Sequence, residues 1–156
     1  MSNPELPASL CVRRIVRASA ERAFAAWTDP KQVVQWWGPA GVSCAEAHID
    51  LRVGGSYGIA NEFPDGRIVW IRGTFEIVEP PHQLAFSWRL DGDAAALAER
   101  VTVSFVERSP DSTEIVVLHE RVEEEERRKS HEAGWVGCLD GLAMFLDVPI
   151  DASCQR

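Results

Sequence analysis

Glu123-Glu-Glu-Glu-Arg-Arg-Lys-Ser-His-Glu-Ala-Gly-Trp-Val-Gly-Cys-Leu-Asp-Gly-Leu-Ala-Met-Phe-Leu-Asp147 is the longest uninterrupted helical pattern in the chain. Trp135, Cys138, Leu139, Leu142, Phe145 and Leu146 recur at steps of three and four, which sets them on one helix face. Four glutamates open the stretch, where the positive end of the helix dipole favours negative charge. Glu123–Arg127, Glu124–Arg128 and Glu125–Lys129 are i,i+4 pairs in the favourable orientation. Pro149 marks the stop. Gly134, Gly137 and Gly141 interrupt the helix, each at a cost of about 1 kcal/mol relative to alanine. Glycine there allows either close packing of helix on sheet or an open space beside the helix. In both cases the helix needs a large apolar surface to lie on.

Working outward from the helix, the preceding chain supplies that surface. Ser9–Arg17 is rich in β-formers and reads as a first strand. Ser19 caps a helix carrying Ala23, Phe24 and Trp27 on one side. Pro30 starts a second short helix through Trp36-Trp37, and Gly38-Pro39-Ala-Gly41 ends it in a loop. From Ser43 the period falls to two. Ala45, Ala47, Ile49 and Leu51 alternate with Glu46, His48, Asp50 and Arg52. Gly54-Gly55, Pro64-Asp65-Gly66, Pro80-Pro81 and Pro110-Asp111-Ser112 mark turns. Between them lie the inward sets Tyr57 and Ile59; Val69, Ile71, Gly73, Phe75 and Ile77; and Leu84, Phe86, Trp88 and Leu90. Val101, Val103 and Phe105, then Ile115, Val117 and His119, complete them, with 91–98 as a longer connection. The order is βααββββββα. It predicts an α+β fold in which a curved antiparallel sheet of about six to seven strands wraps round the C-terminal helix.

A chain of 156 residues, 46% hydrophobic, is expected to form one domain over 1–156 with its core at about 9–147. The net charge of −8 argues against nucleic acid or an anionic membrane as a partner, since both call for a basic surface. No apolar run approaches a bilayer span, and residues 1–8 carry no apolar secretory segment, so a cytoplasmic location is expected. Cys11, Cys44, Cys138 and Cys154 show no C-x-x-C spacing, and free thiols are expected.

Several motifs give the chain a family likeness. They are Phe24…Trp27-Thr28-Asp29-Pro30, Trp36-Trp37-Gly38-Pro39 and Asp50-Leu51-Arg52-Val53-Gly54-Gly55. Further on come Asp65-Gly66, Gly73 with Pro80-Pro81, Thr113…His119, and Glu132-Ala133-Gly134-Trp135 with Leu139 and Leu142. In this order, over residues 10–147, they resemble the START-like (SRPBCC) helix-grip superfamily of polyketide cyclases and lipid-transfer proteins. Within it they resemble the AHSA type, homologues of the activator of the heat-shock protein 90 ATPase. The resemblance implies a cavity between sheet and C-terminal helix. It implies no particular reaction, because the family has no universal catalytic motif.

The expected ligand is a small apolar or amphipathic molecule. The expected lining is Trp37, Tyr57, Ile71, Phe75, Phe86, Trp88, Phe105, Val117, His119, Trp135 and Leu139, an aromatic wall with few polar groups. The loop from Trp37 to Gly41 is read as a gate, and Asn61 and Glu62 lie where they could reach a pocket mouth. His119 is either a core histidine satisfied by backbone or a carboxylate, or a ligand-bonding or acid/base group. His48, His82, His119 and His131 fall on different elements with no ligand spacing, so no metal and no cofactor is expected. No nucleophile motif is present, and no catalytic residue is assigned. A cyclase-like enzyme and a chaperone-binding module are the alternatives. The second is set last because, in the family, that role goes with a further domain. A homodimer is left open.

Overall fold

The computed structural model describes residues 8–38, 41–92 and 98–147. The elements are β1 (Leu10–Val16), α1 (Ala20–Thr28), α2 (Pro30–Trp36), β2 (Ser43–Ile49), β3 (Ser56–Glu62), β4 (Ile68–Glu79), β5 (Gln83–Leu90), β6 (Glu99–Ser109), β7 (Ser112–Glu120) and α3 (Glu125–Asp147). The seven strands form one antiparallel sheet in the order β1-β7-β6-β5-β4-β3-β2. The chain meanders from β2 to β7, and β1 then joins the far edge beside β7. This is the helix-grip arrangement: a curled sheet with its inner face covered by helices.

Local chemistry explains the short elements. Ser19 Oγ accepts the Arg22 N–H at 3.1 Å and caps α1. Asp29 closes α1 with its own N–H and caps α2 through Oδ1, which accepts the Lys31 N–H at 3.0 Å. Pro30 fills the first turn of α2, where no N–H is needed. The buried Trp36 Nε1–H donates to Ala26 O at 2.9 Å and ties the two helices together.

Three features depart from simple periodicity. A bulge between Cys44 and Glu46 shifts the phase of β2, so Cys44 is buried while Ala45 and Leu51 are exposed. A second irregularity between Phe75 and Ile77 brings Val78 onto the core in β4. The long helix begins at Glu125 rather than Glu123. Arg128 turns back to the carbonyls of Val122 and Glu123, and Arg127 reaches across to Glu99 on β6. Lys129 does pair with Glu125, at 3.8 Å. Pro149 and residues 93–97 of the connection lie outside the described residues.

The apolar stripe of α3 is seated as its spacing requires. Trp135, Cys138, Leu139, Leu142 and Leu146 are buried and Phe145 half-buried. Its glycines do different things. A Cβ on Gly141 would come within 2.6 Å of Trp36 O, so this glycine permits close approach of α2. A Cβ on Gly134 would meet nothing within 4 Å, so this one borders open space. No helix among the described residues is long and apolar enough to cross a membrane.

Candidate functional site

The open space beside Gly134 is a partly open cavity of about 240 Å³ between α3 and the β3–β5 half of the sheet. From α3 it is lined by Ser130, His131, Gly134, Trp135 and Cys138. The sheet contributes Asn61, Val69, Ile71, Trp88 and Leu90, and the flanking segments Trp37, Val42 and Phe63. A smaller void of about 20 Å³, room for one water, lies behind Trp37 and Trp88. Trp27, Ile49, Tyr57, Ile59, Phe75 and Phe86 complete its wall.

Four of the residues expected from sequence, Trp37, Ile71, Trp88 and Trp135, line the larger cavity. Tyr57, Phe75 and Phe86 line the smaller void instead, packed as a trio with ring centroids 5.1–5.9 Å apart. Phe105, Val117, His119 and Leu139 line neither space. Phe105 is held edge-on by Phe24 and Trp27, and Val117 and Leu139 are in the closed core. Asn61 lines the cavity, where its Oδ1 accepts the Trp37 Nε1–H at 2.9 Å; Glu62 does not line it.

Trp37 is thereby fixed rather than loose, with further ring contacts to Trp27, Trp36, Trp88 and Trp135. The gate reading falls partly on Pro39 and Ala40, which lie outside the described residues. At Gly38 the backbone has φ +129, and a Cβ would come within 2.1 Å of Val42 O. Glycine at that position is required by one fixed conformation and its close neighbour.

Behind the aromatic wall lies a polar cluster. His119 is wholly buried, and its Nε2 lies 2.8 Å from Glu99 Oε1. His131 Nε2 lies 3.0 Å from the same oxygen, and Arg127 donates to Oε2. The two imidazoles stack with centroids 4.3 Å apart. The Trp135 Nε1–H donates to His119 Nδ1 at 3.0 Å. An indole nitrogen can only donate, so His119 Nδ1 must be the bare nitrogen and Nε2 must carry the proton. His119 is therefore a neutral imidazole of one defined tautomer. Burial pushes its pKa down, and the Glu99 contact offsets this only in part. Burial alone would raise the Glu99 carboxyl. Hydrogen bonds from His119, His131 and Arg127 outweigh it and hold the group far below the ordinary carboxylate range.

This cluster corrects the expectation that the histidines would stay apart. Ligand atoms of Glu99, His119 and His131 lie within 4.8 Å of one another, a spacing that could hold a metal ion. The hydrogen-bond pattern shows how those atoms are used. His119 Nε2 carries a proton, and Glu99 accepts from two imidazoles and one guanidinium, so the group is a satisfied polar network. His119 is in this sense the core histidine paired with a carboxylate.

Other polar groups near the cavity are quiet. The Cys138 thiol is pushed up to about 12 by burial, so it is no nucleophile at neutral pH. Cys11, Cys44 and Cys138 are free thiols, and Cys154 lies outside the described residues. Trp88 Nε1 is buried with no hydrogen-bond partner among the described residues.

Solved structures share this architecture. Protein CV1439 of Chromobacterium violaceum superposes with a TM-score of 0.83 at 21% identity, covering 92% of this chain and all of that one. The AHSA1 protein of Silicibacter pomeroyi gives a TM-score of 0.75 at 23% identity over 96% of this chain and 100% of its own. CalU16 of Micromonospora echinospora gives 0.69 at 25% identity, over 94% and 81%. No curated protein matches the chain significantly in sequence. The sequence pattern of the family described as Activator of Hsp90 ATPase homolog 1-like protein matches residues 17–147. With its helix-grip fold, the chain belongs to that family, AHSA1.

Proposed function

We propose that this protein binds one small, planar, largely apolar molecule in the cavity beneath α3. The observation that carries the reading is an aromatic-walled space of about 240 Å³ at a helix position where glycine leaves room. An apolar cavity of about 150 Å³ is enough to take up benzene, so this one suits one or two fused rings. Rings of Trp37, Trp88 and Trp135 lie 5.4–6.3 Å from one another, a spacing at which a flat ligand finds edges and faces to pack on.

Binding is preferred to the cyclase alternative on the lining itself. Acid/base catalysis needs groups that convene on the substrate. His131 and the inert Cys138 are the ionisable side chains among the described lining residues. His119 and Glu99 lie behind the wall, out of reach of a ligand. The family's description names an activator of a chaperone ATPase, but an internal cavity recommends a small molecule over a chaperone partner.

Titration with naphthalene, followed by calorimetry and tryptophan fluorescence, tests the reading. One saturable site is expected, with a fluorescence change because three tryptophans line the cavity. Absence of saturable binding across naphthalene, indole and biphenyl would refute it.

A further inference from the structure

We propose that Trp37 limits the length of the ligand, its indole forming a bar across a furrow that would otherwise run from the cavity into the small void behind it. This rests on the cavity-binding reading above and adds to it a limit on the ligand's size. The two spaces lie end to end along the inner face of the same three strands. On β3 the inward residues run Asn61, Ile59, Tyr57; the first lines the cavity and the other two the void. On β4 Ile71 lines the cavity and Phe75 the void, and on β5 Leu90 and Phe86 divide in the same way. The register keeps these strands in step, with Ile71 opposite Leu90 and Phe75 opposite Phe86. The stretch of strand from Asn61 to Tyr57 measures about 13 Å. A furrow of that length, if undivided, would take a flat ring system with a chain attached.

Two rings border both spaces, Trp37 and Trp88. Trp88 belongs to the sheet, standing on β5 between Phe86 and Leu90. Trp37 comes from the opposite layer. Its backbone is the C-cap of α2, where its N–H donates to Val33 O at 2.9 Å. Its indole reaches β3, where Nε1–H donates to Asn61 Oδ1 at 2.9 Å. The ring is thus fastened at both ends and crosses the furrow from helix to sheet. Trp27, Trp36, Trp88 and Trp135 pack around it. Moving it aside breaks the Asn61 bond and these ring contacts together, so in the parent the furrow stays divided. The void beyond holds about 20 Å³, room for one water and not for part of a ligand. Because the ring borders both spaces, the volume it vacates on truncation joins them.

The test uses naphthalene and 2-butylnaphthalene with the full chain, parent and Trp37→Ala, by calorimetry and by NMR of isoleucine methyl groups. Ile71 lines the cavity but not the void, and Ile49 and Ile59 line the void but not the cavity. In the parent both ligands should give nuclear Overhauser contacts to Ile71 and none to Ile49 or Ile59. In Trp37→Ala the butyl end should reach Ile49 or Ile59. Each buried methylene strengthens binding about fourfold. The ratio of 2-butylnaphthalene to naphthalene affinity should therefore be at least tenfold higher in the variant than in the parent, and a general loss of binding does not alter that ratio. Trp37→Leu, whose side chain cannot bond Asn61, gives the same comparison where Trp37→Ala does not unfold cooperatively. Contact of the butyl chain with Ile49 or Ile59 in the parent would overturn the bar, and this arm stands without any variant. A smaller rise in the ratio, or a butyl chain that meets neither isoleucine in a folded variant, would also overturn it. Each of these results leaves cavity binding intact. No contact of either ligand with Ile71 in the parent would overturn the cavity reading and this one together.

Discussion

Replacing Gly134 and Gly141 by alanine, one at a time, should change stability in opposite directions although both sit in the same helix. Alanine is favoured over glycine in a helix interior by about 1 kcal/mol. At Gly134 nothing opposes this gain, because the added methyl meets no atom within 4 Å. Gly134→Ala should therefore raise the unfolding free energy by about 1 kcal/mol, or Tm by about 2–4 °C for a chain this size. At Gly141 the same methyl would lie 2.6 Å from Trp36 O, a backbone atom held in α2. Forcing α2 and α3 apart costs about 1–3 kcal/mol, which at mid-range outweighs the helix gain and leaves a net loss of about 1 kcal/mol. Urea and thermal unfolding of the two variants against the parent measure both. Destabilisation by Gly134→Ala would mean that α3 is packed solid there and would remove the cavity. Stabilisation by Gly141→Ala equal to that at Gly134 would refute the assignment of close packing.

The buried network makes stability depend on pH in a stated direction. His119 and Glu99 both have folded pKa values below their unfolded ones, so the unfolded chain binds more protons as pH falls. The contribution of His119 is present above about 6.5 and is lost as acid is added below it; that of Glu99 follows below about 4.3. Denaturant unfolding from pH 8 to pH 4 should show the upper loss, and His119→Gln should flatten it; a parent curve flat from pH 7 to pH 5 would refute the buried neutral imidazole. Glu99→Ala removes the acceptor shared by His119, His131 and Arg127, strands the wholly buried His119 N–H, and should destabilise by about 3 kcal/mol. A loss under 1 kcal/mol in urea unfolding would show that the network is not formed. Trp135→Ala removes a ring that touches Trp27, Trp37 and Trp88 and also strips His119 Nδ1 of its donor, so about 3 kcal/mol should be lost despite the cavity on one side. A loss below 1 kcal/mol would place the indole outside the core.

Element order was legible because period-two alternation and turn residues are local signals. The bulge at Cys44 was not, since one inserted residue inverts the face of those before it without altering composition. For the cavity, parity told which face of the sheet turns inward but not which end of that face stays open. Phe105 and Val117 share the inward parity with Ile71 and Trp88, yet the helices close over the first two, and Leu139 of α3 is buried in the same closed core. The cavity lies toward the β3–β4 hairpin, where Gly134 withholds a side chain. The polar network was missed for a related reason. Glu99 continues the phase of Val101, Val103 and Phe105, and His131 lies one turn before Trp135 on the same stripe. Both could have been found by extending those periods past their first charged residue. Their convergence on His119 depends on how the helix crosses the sheet, which spacing along the chain does not encode.

The measurement that bears most directly on the central claim is calorimetric titration of 1-naphthol into the parent and into Gly134→Leu. Leucine at this position fills part of the cavity from the helix side, in a location where its Cβ is unopposed. The variant should be at least as stable as the parent in urea, and its affinity should fall at least tenfold, while the parent binds one equivalent. Undiminished one-to-one binding by a stably folded Gly134→Leu would place the ligand elsewhere and contradict a site beneath α3.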